Sequence, residues 1–250
     1  MASVTARVIG LCDAARERDH LSQECASCVA RHLAACSGLS TDELSHLAEH
    51  VNRRKLAAGQ TLFQESDPAD NVFTVTSGVF KQYKLLADGR CQVTGFYFMG
   101  DLIGLPEGPD YPVTAEALTP VTVCSFPRAR ITELVGQYPS LAKAVILKLQ
   151  REITTAQGQM LSLGRLTAEE RIAVFLLTLL DKAPDCVNDD GALRLNMRRA
   201  DIADYLGLTV ETVSRSFTKL RNAGVIGAEH GGAVEILSRD GLEDIAQGPG

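Results

Sequence analysis

Residues 139–163 constrain this chain more than any other stretch. Ala142, Ile146, Leu149, Ile153, Ala156, Met160 and Leu163 recur at alternating steps of four and three, which is the a/d seam of a helix that pairs with another helix. With Ile146, Ile153 and Met160 at a, and Ala142, Leu149, Ala156 and Leu163 at d, the β-branched a positions favour two parallel strands. A core helix inside one domain shows a similar stripe, so the flanking segments must decide. The seam itself carries no charge, and Glu152 at g faces Gln157 at e of a second copy. Weakness in the pairing has to come from the small Ala142 and Ala156, or from Gly158. Glycine lowers helix propensity by about 1 kcal/mol relative to alanine.

A chain of 250 residues that is 45% hydrophobic can bury one or two cores. Its only early apolar run, residues 8–11, is short and flanked by charge, and no later stretch approaches a membrane span. A cytoplasmic protein without membrane partners is expected. Seven cysteines without a secretion signal read as reduced thiols, some of them metal ligands. A net charge of -6 does not point to nucleic acid. Residues 194–223, however, hold six basic side chains against three acidic ones, a local +3 that marks a segment with a different partner.

Cys25 and Cys28 stand at C-x2-C spacing, and Cys36 follows after seven residues. Such spacing lets three thiols from one segment reach one metal or cluster. His32 lies between them, so the local pattern leaves a Cys3His zinc site, an iron–sulfur site and plain buried cysteines all open. Cys12, Cys91 and Cys186 lack comparable spacing and read as small apolar fillers or surface thiols. Ser40 to Glu43 and Thr167 to Glu170 are capping boxes that start helices. Between them, residues 61–63, 72–76, 79–86, 91–98 and 121–126 are β-rich runs separated by the turns Ser77-Gly78, Asp88-Gly89 and Gly100-Asp101. The pattern predicts a small antiparallel barrel or roll.

Residues 199–206, Gly207-Leu208 and residues 209–223 read as helix, tight turn, second helix, with Thr209 as its cap. Glu211, Ser214 and Arg215 fall at i, i+3 and i+4 on one face, where a recognition helix presents side chains to the major groove. Arginine donates twice to guanine, glutamate accepts from cytosine N4, and serine suits either. A solvated Glu211–Arg215 pair is the plainer alternative. No phosphate-binding glycine loop, nucleophile elbow or paired carboxylates point to an enzyme. The C-x2-C pair lacks the βαβ context of a thiol oxidoreductase.

The motifs Gly59-Gln60-Thr61-Leu62-Phe63, Thr76-Ser77-Gly78 and Thr94-Gly95-Phe96, leading to Gly100-Asp101-Leu102-Ile103-Gly104, resemble the effector domain of the cyclic-AMP receptor protein and FNR (CRP/FNR) family of bacterial transcription regulators. The resemblance runs from about Cys25 to about Leu237. It implies an α+β fold: an N-terminal antiparallel β-roll of the cyclic-nucleotide-binding type, a long dimerisation helix and a C-terminal winged helix-turn-helix. The corresponding segments are residues 1–40 (a cysteine-bearing arm), 41–136 (the sensor roll), 137–165 (the dimerisation helix) and 166–250 (the DNA-binding domain). In that scheme residues 225–237, turning at Gly231-Gly232, form the wing, and residues 247–250 a frayed tail.

The cyclic-nucleotide branch clamps phosphate with an Arg–Ser or Arg–Thr pair. This chain has Tyr111-Pro112-Val113-Thr114 there, and no Lys or Arg from Cys91 to Pro127, so no cyclic nucleotide is expected. Residues 121–127 instead resemble the strand carrying the lone fourth cysteine of FNR-type oxygen sensors. The resemblance therefore implies a 4Fe–4S cluster on Cys25, Cys28, Cys36 and Cys124. His20, His32, His46 and His50 show no axial-ligand context for haem. Glu211-Thr212-Val213-Ser214-Arg215 matches the E-x-x-S-R pattern of FNR-type readers, which implies double-stranded DNA with TTGAT-type inverted repeats. Phosphate contacts then fall to Arg199, Thr209 and Thr212. The implied protein is an oxygen-responsive homodimer joined at Ile146, Leu149, Ile153, Ala156, Met160 and Leu163. RNA polymerase is its further partner, with Asp88-Gly89 as one surface for that contact. The alternative is a zinc-stabilised or small-molecule-controlled regulator of the same family without an iron–sulfur sensor.

Overall fold

The computed structural model describes residues 25–188 and 191–248. Residues 8–11, Cys12 and His20 lie outside them, as do residues 189–190 and residues 249–250 of the expected tail. The N-terminal region folds as two four-stranded antiparallel sheets. One runs in the order β1 (Asn52–Leu56), β8 (Val121–Pro127), β3 (Asn71–Ser77), β6 (Leu102–Ile103). The other runs β2 (Thr61–Phe63), β7 (Thr114–Ala117), β4 (Phe80–Leu85), β5 (Cys91–Tyr97). Phe63, Phe73, Phe80, Tyr97, Tyr111 and Val123 form the apolar layer between them, and Phe63 stacks on Tyr111 with centroids 3.8 Å apart. The roll has the expected character, with three strands the sequence pattern missed. β1 is an edge strand carrying Arg53, Arg54 and Lys55 in water, a charged edge that discourages pairing with another chain and lacks alternation. β6 and β7, of two and four residues, are too short to show a period.

Helix α1 (Thr41–Ala48) starts at the predicted box: Ser40 Oγ accepts from Glu43 N at 3.3 Å, and Glu43 Oε2 accepts from Ser40 N at 2.8 Å. Such caps are worth about 1 kcal/mol. Helix α2 (Arg128–Gln137) was not signalled in the sequence, because its cap is Pro127 with no side-chain bond. Helix α3 (Pro139–Arg165) places proline at its first position, where no N–H is needed. Its 27 residues span about 40 Å at 1.5 Å per residue. Leu141 and Val145 are buried, but beyond them one face is bare: Ile146 is 54% exposed, Leu149 41%, Ile153 58% and Met160 72%. Two departures from the seam appear. Leu163 leans on the chain's own turn, where a side chain at Gly207 would meet its Cδ2 at 3.3 Å. Glu152 accepts from the Tyr97 hydroxyl at 2.9 Å, so it is turned toward its own roll.

The C-terminal part comprises α4 (Ala168–Lys182), β9 (Ala192–Arg194), α5 (Arg199–Leu206), α6 (Val210–Asn222), β10 (Ile226–His230), β11 (Ala233–Ile236) and α7 (Arg239–Gln247). Thr167 and Glu170 cap α4 reciprocally. β10, β11 and β9 form a small antiparallel sheet. Gln247, expected in a frayed tail, is the last residue of α7, a helix capped by Ser238. Ile172, Leu176, Leu193, Ile202, Leu206, Leu220 and Leu242 are fully buried in one core. That core runs on into Val79, Val93, Phe96 and Phe98 of the roll, so the C-terminal part and the roll share apolar packing.

Candidate functional site

Cys124 on β8 lies opposite Arg53 of β1 and Thr74 of β3. Cross-strand partners share a face, and here that face looks away from the roll's interior toward the arm. Cys28 leads into a 3-10 turn, Val29–His32, and Cys36 sits in a second, Ala35–Gly38. Between the turns, Leu33 presses on Gly100, whose φ is 89° and where a Cβ would lie 2.4 Å from Leu33 Cβ. Only glycine permits that approach. The result is a cavity of about 50 Å³ whose wall includes Cys25, Cys28, Cys36 and Cys124. Leu44 and Leu47 of α1, Ile131 of α2, and Leu141 and Val145 of α3 complete it. Arg53 and Thr74 also line it; Arg53 was not marked by the sequence because β1 was not, and Thr74, on a strand the sequence did mark, carried no signal that it faces the arm.

Burial raises the Cys36 thiol, with Cys28 and Cys25 adding to the effect. Burial, with the charge of Cys25 added and that of Arg53 opposing, pushes the Cys124 thiol up to about 12. These two thiols are therefore protonated at neutral pH, and a metal must displace their protons to bind. Among the described residues, no three His, Cys, Asp or Glu side chains lie close enough to hold one metal ion. Four thiols lining one apolar cavity are the donor set that a cluster bound by four thiolates would need. His32 is exposed, keeps Nδ1 2.8 Å from the Val29 carbonyl and is not part of the wall. The six described cysteines form no disulfide with one another. Cys186 is buried in the C-terminal core, where its sulfur accepts from Asn196 at 3.2 Å, and Cys91 is half-buried on β5.

A second cavity, of about 160 Å³, lies between the roll and α3. Phe63, Tyr97, Tyr111, Leu149 and Glu152 line it, with no Lys or Arg in its wall. Burial pushes the Tyr97 hydroxyl far above its ordinary value, and Glu152 adds to the shift. An anion there would meet a carboxylate and no cation, an uncompensated charge.

In the reader, α5 ends at Gly207 in the left-handed region, φ 62° and ψ 39°. Thr209 then caps α6 by accepting from Thr212 N at 3.2 Å. Val213, Ser216, Phe217 and Leu220 are buried, which turns Glu211, Ser214 and Arg215 to solvent. Hydrogen bonds from its own backbone and from Thr209, with the charge of Arg215 behind them, hold the Glu211 carboxyl below its ordinary value. Arg215 donates to Thr212 Oγ1 at 3.3 Å, and Ser214 donates to the Val210 carbonyl at 2.9 Å. Arg199 is placed differently: its guanidinium lies 3.5 Å over the Phe217 ring and is paired with Glu229 of the wing. A phosphate would have to compete with that carboxylate.

Residues 53–138 match the cyclic nucleotide-binding domain and residues 170–245 the Crp-like helix-turn-helix domain. The chain is 39% identical to the nitrogen fixation regulation protein FixK of Bradyrhizobium diazoefficiens, over 89% of this chain and 93% of that protein. It is 40% identical to the transcriptional activator protein Anr of Pseudomonas aeruginosa, over 90% and 93% respectively. Among solved structures it is similar to FixK2 from Bradyrhizobium japonicum, with a TM-score of 0.71 and 34% identity over 77% of this chain and 96% of that one.

Proposed function

We propose that this chain, which belongs to the CRP/FNR family of transcription regulators, is a homodimeric, oxygen-responsive activator whose DNA affinity follows a 4Fe–4S cluster held by Cys25, Cys28, Cys36 and Cys124. DNA binding and dimerisation come with the family, whose members are regulators rather than enzymes. The observation that carries the sensor reading is one apolar cavity shared by the four thiols and by Leu141 and Val145 of α3. When bound, such a cluster supplies a redox-active centre ligated by four thiolates.

The chain's own residues supply the coupling. Cys25, Cys28 and Cys36 would hold the arm against β8 when they ligate the cluster, and the apolar wall would keep water from the sulfurs. Val145, in that wall, is followed directly by Ile146, the first exposed residue of the seam. The seat of the arm thus sets how α3 presents Ile146, Leu149, Ile153, Ala156 and Met160 to a second copy, while Leu163 stays against the chain's own Gly207 turn. Two copies joined there offer two α6 helices to a TTGAT-type inverted repeat. Glu211, Ser214 and Arg215 read base edges while Thr209 and Thr212 meet phosphate. Arg199 joins them only by exchanging Glu229. RNA polymerase is the further partner of an activator. No helix among the described residues is long and apolar enough to cross a membrane, and the cytoplasm is the compartment this reading requires.

A second reading rests on the cavity between the roll and α3: an apolar effector binds there and acts on the same helix. Zinc in a Cys3His site is disfavoured because His32 is exposed and is not part of the wall that the four cysteines share. The deciding measurement follows iron content, visible spectrum, dimer fraction and binding to a TTGAT palindrome in one anaerobic sample, before and after air. A brown protein with about four irons per chain, losing DNA affinity in air, is expected. A colourless protein with stoichiometric zinc overturns the cluster, and thermal stabilisation by apolar compounds under anaerobiosis would favour the second reading.

A further inference from the structure

The first helix of the reader, α5, is held at both ends by side chains from outside the helix-turn-helix. At its N-terminal end Asp201, 1% exposed, accepts from the Arg198 backbone N–H at 3.0 Å and from Lys81 Nζ at 2.8 Å. Lys81 belongs to β4 of the roll, is 7% exposed, and has Glu116 of β7 at 3.5 Å as a second carboxylate. Arg198 Nε adds a contact to Asp201 at 3.2 Å. At the other end, carbonyls that helix geometry leaves unpaired find donors. Gln92 of β5 donates to Asp204 O at 2.7 Å, Gln159 of α3 to Tyr205 O at 2.7 Å, and Arg171 of α4 to Leu206 O at 2.9 Å. Phe96 of β5 closes the junction against Tyr205, with centroids 5.2 Å apart.

Burial opposes charge on both Lys81 and Asp201, yet their mutual attraction outweighs it. The ammonium is held above its ordinary value and the carboxyl below. A buried ion pair of this kind is a poor source of stability, since apolar residues of the same volume often serve as well. What it adds is direction, because a short charge-assisted hydrogen bond tolerates little rotation. α6 follows α5 through the Gly207 turn and the Thr209 cap. Fixing α5 against the roll and α3 therefore fixes where the reading face points. In a dimer joined along α3, that direction sets the separation of the two reading faces, and half-sites are about 34–36 Å apart for one turn of DNA.

We infer that Lys81, through its ion pair with Asp201, determines the half-site spacing that the dimer accepts. Lys81 lies far from any base in this scheme and acts as a positioning residue. The inference rests on the DNA-binding reading above. One inserted base pair moves a half-site by about 3.4 Å and turns it by about 34°, which a fixed reader resists and a loosened one accommodates.

The test uses the 250-residue chain, purified anaerobically, with TTGAT inverted repeats whose spacer is at its best length or one base pair longer or shorter. Lys81→Met is compared with Lys81→Met/Asp201→Asn, in which asparagine keeps an acceptor for the Arg198 N–H and no buried charge is left unpaired at the junction's centre. Wild type should bind the altered spacers at least about tenfold more weakly, roughly 1.4 kcal/mol. The double variant should lose most of that penalty while keeping its melting temperature and its affinity for a single half-site, two properties that a general loss of structure would not spare. A double variant with the wild-type spacing ratio overturns the inference, as does a wild type indifferent to spacing. A wild type that binds no inverted repeat overturns the DNA reading itself.

Discussion

In the reader, the contacts that shape the DNA-facing surface lie within a few residues of it. Thr209 caps a helix from three residues away, Gly207 turns the chain, and Val213, Phe217 and Leu220 bury one face so that Glu211, Ser214 and Arg215 keep the other in water. The thiol cavity is assembled the other way. It joins residues 25–36 to a strand at Cys124 and closes on α3 at Leu141 and Val145. Burial raises the Cys36 and Cys124 thiols, so a metal binding there would have to displace their protons. One surface is built from near neighbours, and the other from segments far apart in the chain. Such a pairing suits a regulator whose reading chemistry is constant and whose presentation is conditional.

That contrast can be broken or sharpened by substitution. The largest effect is expected for Cys124→Ser, which should reduce iron from about four per chain to a small fraction while the reader still binds a single half-site. Retained iron would remove Cys124 from the ligand set and dissolve the comparison. Ile153→Glu, at the middle of the bare face of α3, places two carboxylates into the paired seam. It should weaken dimerisation by at least about a hundredfold, roughly 3 kcal/mol, in sedimentation, with iron content unchanged; an unaltered dimer would move the interface elsewhere. The uncharged wild-type seam should leave the iron-free protein partly dimeric at micromolar concentration, and a clean monomer would contradict that.

Smaller effects probe the reader alone. Arg215→Ala should cost about 1–3 kcal/mol in DNA binding and relax preference at one base position, whereas an equal loss on every sequence would make its contact a phosphate one. Thr209→Ala should lower stability by about 1 kcal/mol in thermal melting without changing iron content. A loss of iron with that change would show that the two regions are not built independently.

The starts of α1, α4 and α6, the Gly207 turn and the spacing of the α3 seam were legible in order along the chain. Each depends on torsion preferences and on partners three or four residues away, as Ser40 with Glu43 and Thr167 with Glu170 illustrate. Where local chemistry was silent, elements were lost: β1 is charged and edge-exposed, and α2 begins at Pro127 without a side-chain cap. Cys124 is a strand residue like any other until β1 and β3 set Arg53 and Thr74 beside it and the arm folds over, so the ligand role proposed for it came through family resemblance rather than pattern. Tertiary structure alone decided that Glu152 turns to Tyr97, that Arg199 pairs with Glu229, and that Lys81 is buried against Asp201. The physical reason is the range of the forces involved. Helix and turn preferences are set by near neighbours, whereas desolvation and ion pairing depend on which distant surfaces finally meet.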